Sequence, residues 1–423
     1  MRVDATVSLV SGLRVAVAGA GLGGLCLAQG LARAGVRVDV HERDPELNAR
    51  RQGYRLHVDS RAGLALRDCL PPELFELFMA TTGRPGTTFT VLSSGLRVLH
   101  ETRGDPHRPE DDPARLSTSV NRQTLREILF AGIEDRVHFG HELAGFAHDG
   151  DGVRLRFTDG STAAADVLVG ADGVNSVVRR RYLPDARIED TGSRCVYGRT
   201  ALNESNLPLV PAPMHDGFTA VVGGRIGMAA GLVRFRRRPP EAAAAIAPGV
   251  ALSAAGDYLM WAISAQRDAF PLPDERMGEL DAAALHDVAT AMVRSWHPDL
   301  RALVGRADVA ETFFIRVRSS VPVPAWEPSR VTVLGDAIHA MSPARGSGAN
   351  TAMRDAAVLC RALTDAAGDS AGLVAAIGGY EERMRDYGFA AVAASREAEA
   401  TMARRGRGLW LWLFDHLPRR PDR

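Results

Sequence analysis

The 423-residue sequence contains no lysine, so all 51 of its basic residues are arginine. This absence excludes a Schiff-base lysine, a pyridoxal phosphate attachment site and the lysine of a phosphate-binding P-loop. Acidic residues also number 51, which gives a formal net charge of zero. Such a balance indicates neither nucleic acid nor an anionic membrane surface as a partner.

The chain also has few cysteines and no long apolar run. Its four cysteines are Cys26, Cys69, Cys195 and Cys360. Their spacing fits neither a metal site nor a redox pair, so we expect free thiols in a reducing compartment and no bound metal. No apolar stretch approaches the ~18 residues that a membrane-spanning helix needs. The N-terminus resembles a signal peptide only superficially, because its apolar part belongs to the motif described next. We therefore expect a cytoplasmic protein without a membrane partner.

The most informative stretch is LRVAVAGAGLGG, residues 13–24, in which an apolar strand pattern meets three glycines and then a helical pattern. Gly19 makes the tight turn, Gly21 lets the backbone approach a pyrophosphate, and Gly24 lets the helix pack close to the strand. The N–H groups at the start of the helix then hold the diphosphate. A second strand, VRVDV, leads through His41 to Glu42, near the ~20-residue spacing expected for the acid that binds a ribose hydroxyl. The pattern predicts dinucleotide binding; the alternative is a glycine-rich turn in another α/β protein.

Two further strand-to-helix turns carry polar groups. In VLVGADGVNSVVRR, residues 167–180, an apolar strand runs into Asp172 and Gly173, which on its own could be an ordinary turn. In RVTVLGDAIHAMSPARGSGANTAMRDAAVLCRAL, residues 330–363, a strand ends at Asp336, where a carboxylate can accept a polyol hydroxyl. A loop rich in proline and glycine then leads into a new helix. The positive end of that helix could stabilise an anionic ring, or the loop could be a plain helix cap.

Together, the order and spacing of these motifs resemble the class A flavoprotein monooxygenases, the single-component aromatic hydroxylases related to para-hydroxybenzoate hydroxylase. The family's signatures match as GAGLGG, GADGVNS and LGDAIHAMSP, and NRQTLREIL is a weaker fourth match that supplies Arg122. The resemblance extends from Leu13 to about Ser395. The loop PARGSGAN departs from the family pattern at Arg345 and Ser347; Arg345 could strengthen an anion site, contact an acidic substrate or face solvent. The compact build is similar to that of tetracycline-modifying and secondary-metabolite hydroxylases.

The resemblance implies FAD as cofactor and NADPH or NADH as a transient co-substrate that binds over the same crevice, since no second glycine motif is present. It places the adenosine ribose on Glu42 and the phosphates near Arg43 and Arg122. The cofactor-binding residues that it implies are Gly19, Gly21, Gly24, Glu42, Arg43, Arg122, Asp172, Gly173, Asp336, Gly346, Gly348, Ala349 and Asn350.

We therefore predict an α/β fold with a Rossmann-like, glutathione-reductase-like FAD-binding domain, an inserted, mostly antiparallel β-sheet substrate domain and C-terminal helices. The FAD-binding domain is expected to be discontinuous, over 12–84, 115–190 and 288–365. The substrate domain is expected over 85–114 and 191–287, and a C-terminal helical segment over 366–423.

The implied activity is hydroxylation or epoxidation of a large aromatic or polyketide-like molecule in secondary metabolism, such as antibiotic biosynthesis, with NAD(P)H, molecular oxygen and a flavin C4a-hydroperoxide. Baeyer–Villiger oxidation stays open, and a non-redox cyclase or ligand-binding flavoprotein of the same fold is the alternative. The cofactor performs the difficult chemistry, so no acid–base triad is required.

Several residues are candidates for work near the reacting atoms. Arg55, His57 and Pro343 are the candidate catalytic residues, although a structural role is the preferred interpretation of His57. The candidate substrate-contacting residues are Arg199, Phe218, Met260, Trp261 and Phe314, and the strand register decides which of them face inward. The aromatic tail around Trp410, Trp412 and Phe414 could pack on the surface, close the substrate entrance or touch a membrane.

Overall fold

A computed structural model describes residues 12–49, 54–104 and 112–403. The aromatic tail with Trp410, Trp412 and Phe414 lies outside the described residues. The four cysteines are free thiols, as the sequence predicts; three are buried and Cys360 is partly buried. No helix in the described ranges combines the length and apolarity needed to cross a membrane.

Seventeen strands are formed within the described residues. They are β1 (Arg14–Ala18), β2 (Arg37–Glu42), β3 (Arg55–Asp59), β4 (Thr88–Ser93), β5 (Val98–Arg103), β6 (Ser117–Asn121), β7 (Val137–Phe139), β8 (Leu143–Asp149), β9 (Gly152–Phe157), β10 (Thr162–Ala165), β11 (Val167–Gly170), β12 (Ile188–Ala201), β13 (Phe218–Gly223), β14 (Ile226–Val233), β15 (Tyr258–Gln266), β16 (Phe313–Ser320) and β17 (Val331–Val333).

The same ranges contain twelve α-helices. They are α1 (Leu22–Arg33), α2 (Ser60–Cys69), α3 (Pro72–Thr81), α4 (Arg122–Phe130), α5 (Val177–Tyr182), α6 (Pro239–Ile246), α7 (Asp274–Glu279), α8 (Ala282–Met292), α9 (Pro298–Gly305), α10 (Asp336–His339), α11 (Gly348–Asp365) and α12 (Ser370–Ala403).

A five-stranded parallel sheet forms the centre of the fold, in the order β17-β11-β1-β2-β7. Its strands are short apolar runs such as RVAVA and VLVG, whose residues are almost all buried, as is typical of parallel strands covered on both faces. Helix α1 packs its buried residues beside α11 and α2. The three glycine and aspartate motifs follow β1, β11 and β17, so the sheet places all three at one edge.

A seven-stranded sheet forms the second layer, in the order β16-β12-β15-β14-β13-β4-β5. All its neighbours are antiparallel except β13 and β4. One face packs against α8 and α9, and the other meets Tyr54 at the start of β3. This confirms the predicted fold class of a Rossmann-like sheet with an inserted, mostly antiparallel one.

The predicted domain boundaries stay a prediction. Strand β16 pairs with β12, and α8 and α9 share the core of the seven-stranded sheet, although the predicted boundary assigns 288–365 to the other domain. We propose that the region built on the large sheet extends to residue 320, because strands that share a sheet and helices that share a core belong together.

Candidate active site

The glycine loop between β1 and α1 has the shape that a diphosphate requires. Gly19 has φ +107, and a Cβ there would lie 2.5 Å from the Ala171 carbonyl oxygen. A Cβ on Gly24 would lie 2.1 Å from the Gly19 carbonyl oxygen. Around Gly21, in contrast, no heavy atom lies within 4 Å of the Cβ position, and no side chain caps the helix that follows. The first N–H groups of α1 therefore face open space that an anion can fill.

The Glu42 carboxylate holds this loop from the end of β2. It accepts hydrogen bonds from the Ala20 N–H at 2.7 Å and the Asp44 N–H at 3.0 Å. Arg126 donates to the Ala20 carbonyl oxygen at 3.0 Å, and its Nη2 lies 4.0 Å from Glu42. Sequence reasoning missed Arg126, which follows Arg122 by one turn of α4 and so lies on the same face. Arg43 is exposed beside this group.

Asp336 lies at the centre of the crevice. Its carboxylate is open to solvent although protein surrounds it closely, which is the setting of a group that lines a deep cavity. Desolvation there raises its pKa, and the charges of His339 and Arg122 act in the opposite direction. A Cβ on Gly348, the first residue of α11, would lie 3.9 Å from Asp336 Oδ1. A carboxylate, a guanidinium and a helix N-terminus thus converge on one space.

The loop before α11 is shaped by Pro343, at the start of a short 3₁₀ turn, and by Gly346 with φ +60. Asn350, in the first turn of α11, is fully buried. Its Nδ2 donates to the His57 and Gly346 carbonyl oxygens at 2.8 and 3.0 Å, and its Oδ1 accepts from the Asp59 N–H at 2.9 Å. The Asn350 side chain therefore ties β3 to the helix start. No side chain caps α11, and Gly348 and Ala349 are the partly exposed residues of its first turn.

The Asp172-Gly173 turn abuts the glycine loop. Asp172 Oδ2 accepts from the Val177 and Val178 N–H groups at 2.6 and 3.3 Å, so the carboxylate caps α5. Its Oδ1 is buried without a hydrogen-bond partner, and burial raises its pKa. Gly173 has φ +72, a conformation that favours glycine. Since Gly19 packs against the Asp172 backbone, this turn supports the loop.

A buried network lies beneath the Gly335-Asp336 turn. His339 Nε2 donates to Asp355 Oδ2 at 2.6 Å, and that oxygen also accepts the Gly335 N–H at 2.8 Å. Tyr387 Oη donates to the other Asp355 oxygen at 2.7 Å. Burial lowers the pKa of His339, but the charge of Asp355 and its hydrogen bond outweigh burial and raise it. His339 therefore holds the turn that presents Asp336.

The seven-stranded sheet sorts the five candidate substrate residues by face. Directly opposed residues on neighbouring strands share a face, and one such row crosses five strands. The row consists of Arg199, Met260, Gly231, Phe218 and Phe89. It faces Tyr54 and β3, so it lies toward the crevice.

Trp261 and Phe314 lie on the opposite face. Trp261 is fully buried against α8 and α9 in the core, its indole N–H donates to Thr200 Oγ1, and Phe314 packs against the same core. Because successive residues of a strand alternate between faces, Trp261 is turned away from its neighbour Met260. We therefore drop Trp261 and Phe314 as substrate candidates and keep Arg199, Phe218 and Met260.

The two layers meet at the Tyr54 carbonyl oxygen. It accepts the Arg122 N–H at 2.8 Å from the crevice side and the Tyr258 hydroxyl at 3.0 Å from the sheet side. A cleft of about 230 Å³ opens beside this junction, and Arg55, His57 and Phe218 are among its lining residues. The dinucleotide crevice and the inward face of the sheet thus border one another.

Comparisons with known proteins agree with this geometry. A family model described as FAD binding domain matches residues 12–197 and 290–395. The dual O-methyltransferase/FAD-dependent monooxygenase CTB3 of Cercospora beticola is 35% identical over 394 residues, which cover 86% of this chain and 43% of that protein. The chain therefore spans about two-fifths of the length of this relative.

Solved structures share the fold. A Photorhabdus luminescens protein classed as an FAD-containing monooxygenase is 32% identical with a TM-score of 0.77, covering 92% of this chain and 97% of its own. HpxO of Klebsiella pneumoniae, solved with FAD and uric acid, has a TM-score of 0.74 at 24% identity, covering 97% and 94%. FAD is the cofactor that the crevice fits, because the open space at Gly21 and the accessible, deep carboxylate of Asp336 suit its diphosphate and its hydroxyl-rich chain.

Proposed function

This chain belongs to the family of FAD-dependent monooxygenases, and on that premise we propose that it uses NAD(P)H and O2 to hydroxylate or epoxidise a large aromatic or polycyclic molecule in secondary metabolism. The observation that carries the proposal is the junction at Tyr54. There the crevice with Arg122 and Asp336 borders the inward, aromatic face of the seven-stranded sheet. A ring system on that face would lie beside the cofactor.

The chain's residues have distinct tasks in this proposal. The N-termini of α1 and α11 and the Asp336 carboxylate bind the diphosphate, ring edge and hydroxyl-rich chain of FAD. When bound, FAD supplies the redox chemistry, accepting hydride from the nicotinamide and activating O2 for transfer of one oxygen atom. Glu42 orients the glycine loop through the Ala20 N–H, and His339 orients the Asp336 turn through Asp355.

Aromatic rings pack together on the inward face of the sheet. Tyr197 stacks on Phe313 with ring centroids 5.2 Å apart, and Tyr54 meets the edge of the same ring. The Arg199 guanidinium lies over Tyr54 and Tyr258, with ring centroids 5.4 and 5.8 Å away. An aromatic wall of this kind suits a polycyclic ligand.

The proposal is tested on the FAD-loaded protein with a panel of polycyclic phenols and quinones. We expect NAD(P)H oxidation to accelerate on addition of a substrate, and one atom from labelled ¹⁸O₂ to appear in the product. Labelled water under unlabelled O2 is the control and should leave the new oxygen unlabelled. Conversion of a substrate without NAD(P)H or O2 would instead establish the non-redox alternative.

A further inference from the structure

The cleft beside Tyr54 carries an excess of positive charge. Three arginines line it, Arg55, Arg84 and Arg234, and in the described part of the chain no carboxylate forms an ion pair with any of them. The lining contains one acid, Asp216, which accepts from the Thr87 N–H at 3.0 Å and from the Thr87 and Thr88 hydroxyls at 2.6 Å. These hydrogen bonds occupy that carboxylate, and one acid against three arginines leaves the lining with a net positive charge.

Two of the three guanidinium groups are held by neutral partners. Arg55 lies over the Phe218 ring at 5.3 Å, and its Nε donates to the Leu232 carbonyl oxygen at 3.4 Å. It fits because position 231 is glycine, where a Cβ would lie 2.8 Å from Arg55 Nε. His215 Nε2 donates to the Val210 carbonyl oxygen at 2.9 Å, which leaves its Nδ1 to accept from Arg234 Nη2 at 3.3 Å.

Burial lowers the pKa of Arg55 to about 10, so the group stays charged at neutral pH. Arg55 is half-buried and reaches the cleft, but protein surrounds its guanidinium closely. A guanidinium in that setting without an ionic partner is costly, and nearby anionic charge would offset that cost. Planar carboxylates match guanidinium groups with two parallel hydrogen bonds.

The cleft also adjoins the place where the flavin ring edge is expected. The His57 Cβ lies 3.5 Å from the Cβ position of Gly346, in the loop that leads into α11. His57 is held there because Asn350 donates to its carbonyl oxygen. A ligand in the cleft thus lies between the arginines and the start of α11.

We propose that this cleft recognises a carboxylate carried by the aromatic substrate, with Arg55 and Arg234 as the residues that determine specificity. The inference rests on the proposed function, whose substrate class it narrows from polycyclic aromatics to polycyclic aromatic acids. Phe218 supports the ring system and the guanidinium groups bind its acidic edge.

The test uses the FAD-loaded protein and two matched probes, anthraquinone-2-carboxylate and anthraquinone-2-carboxamide, with dissociation constants measured by quenching of flavin fluorescence. We expect the carboxylate to bind roughly 10- to 150-fold more tightly, as for hydrogen bonds to a charged group. Arg55→Gln and Arg234→Gln should bring the ratio close to one. Gly231→Ala should also lower it, because the added methyl displaces Arg55 without removing its charge. Arg237→Gln, an exposed neighbour outside the cleft, is the matched control and should leave the ratio unchanged.

Equal binding of the two probes by the wild-type protein, or a ratio that survives both cleft substitutions, would overturn the proposal. One further result would overturn it: the Arg55 and Arg234 variants keep the wild-type probe ratio but bind NADPH, and not NADH, more weakly. The anion that the arginines bind would then be the 2′-phosphate of the co-substrate. Stopped-flow measurements of flavin reduction supply those dinucleotide constants. The probe ratio does not depend on turnover, so failure of ¹⁸O incorporation with the ratio intact counts against the proposed function alone.

Discussion

Asp336 is the single side chain on which cofactor affinity should depend most. Its carboxylate is accessible within a deep crevice, faces Arg122 and lies beside the first turn of α11. Asp336→Ala should weaken FAD binding by about 1.5–3 kcal/mol, roughly 10- to 150-fold, because a charged acceptor for ligand hydroxyls is lost. Titration of the apoprotein with FAD measures this. Asp365→Ala, at the exposed C-terminal end of α11, is the control. An equal effect of both substitutions would show that the Gly-Asp turn has no special role.

Sequence patterns predicted glycines that the backbone geometry requires better than they predicted contacts between side chains. Gly19 and Gly24 of the first motif could be assigned because a close approach admits no other residue, and the structure places the Ala171 and Gly19 carbonyl oxygens beside those positions. Arg126 was missed because its role depends on where α4 packs. Trp261 could not be separated from Met260, since only the strand register decides which of two neighbours faces the crevice.

At the scale of elements, Asn350 is the link between β3 and α11. Its three hydrogen bonds join His57 and Asp59 to the loop that starts the helix. Asn350→Ala leaves those backbone groups without partners, which should cost about 2–4 kcal/mol and shift the helix start. We expect a melting temperature several degrees lower and weaker FAD binding. Asn203→Ala, in an exposed turn, should leave the FAD dissociation constant unchanged; an unaffected FAD constant in the Asn350 variant would contradict the assigned role.

The periodicity of apolar residues predicted the order of strands along the chain, but it did not predict which strands pair with one another. Apolar runs before the three motifs predicted β1, β11 and β17, and alternation predicted the strands of the large sheet. The parallel pairing of β13 with β4, and the return of β16 to β12, join segments far apart in sequence. No local pattern specifies such pairings, which is why the boundary that we propose at residue 320 differs from the predicted one at residue 288.

At the scale of the whole molecule, α12 joins the C-terminal part of the described chain to the parallel sheet through hydrogen bonds to β17. Tyr380 Oη donates to the Val333 carbonyl oxygen at 2.9 Å, and Glu381 accepts the Thr332 hydroxyl at 2.8 Å. Glu381 is fully buried, and its second oxygen has no hydrogen-bond partner. Desolvation raises the pKa of Glu381 to about 7, from 4.5 in the unfolded chain.

This shift gives the fold a specific pH dependence. A carboxyl group whose pKa is higher in the folded state contributes its full stability below pH 4.5 and loses it as the pH rises through about 7. The loss at pH 8 should approach ~3 kcal/mol, at 1.36 kcal/mol for each pKa unit.

Glu381→Gln keeps the shape of the side chain without the charge. It should therefore have a higher melting temperature than the wild-type protein at pH 8, and this difference should shrink toward pH 5. Glu382→Gln, the exposed neighbour, should show no such trend. Melting curves of the three proteins between pH 5 and pH 8 measure the difference. If the Glu381 and Glu382 variants behave alike, Glu381 is ionised in the fold at all these pH values and the attachment of α12 does not depend on its proton.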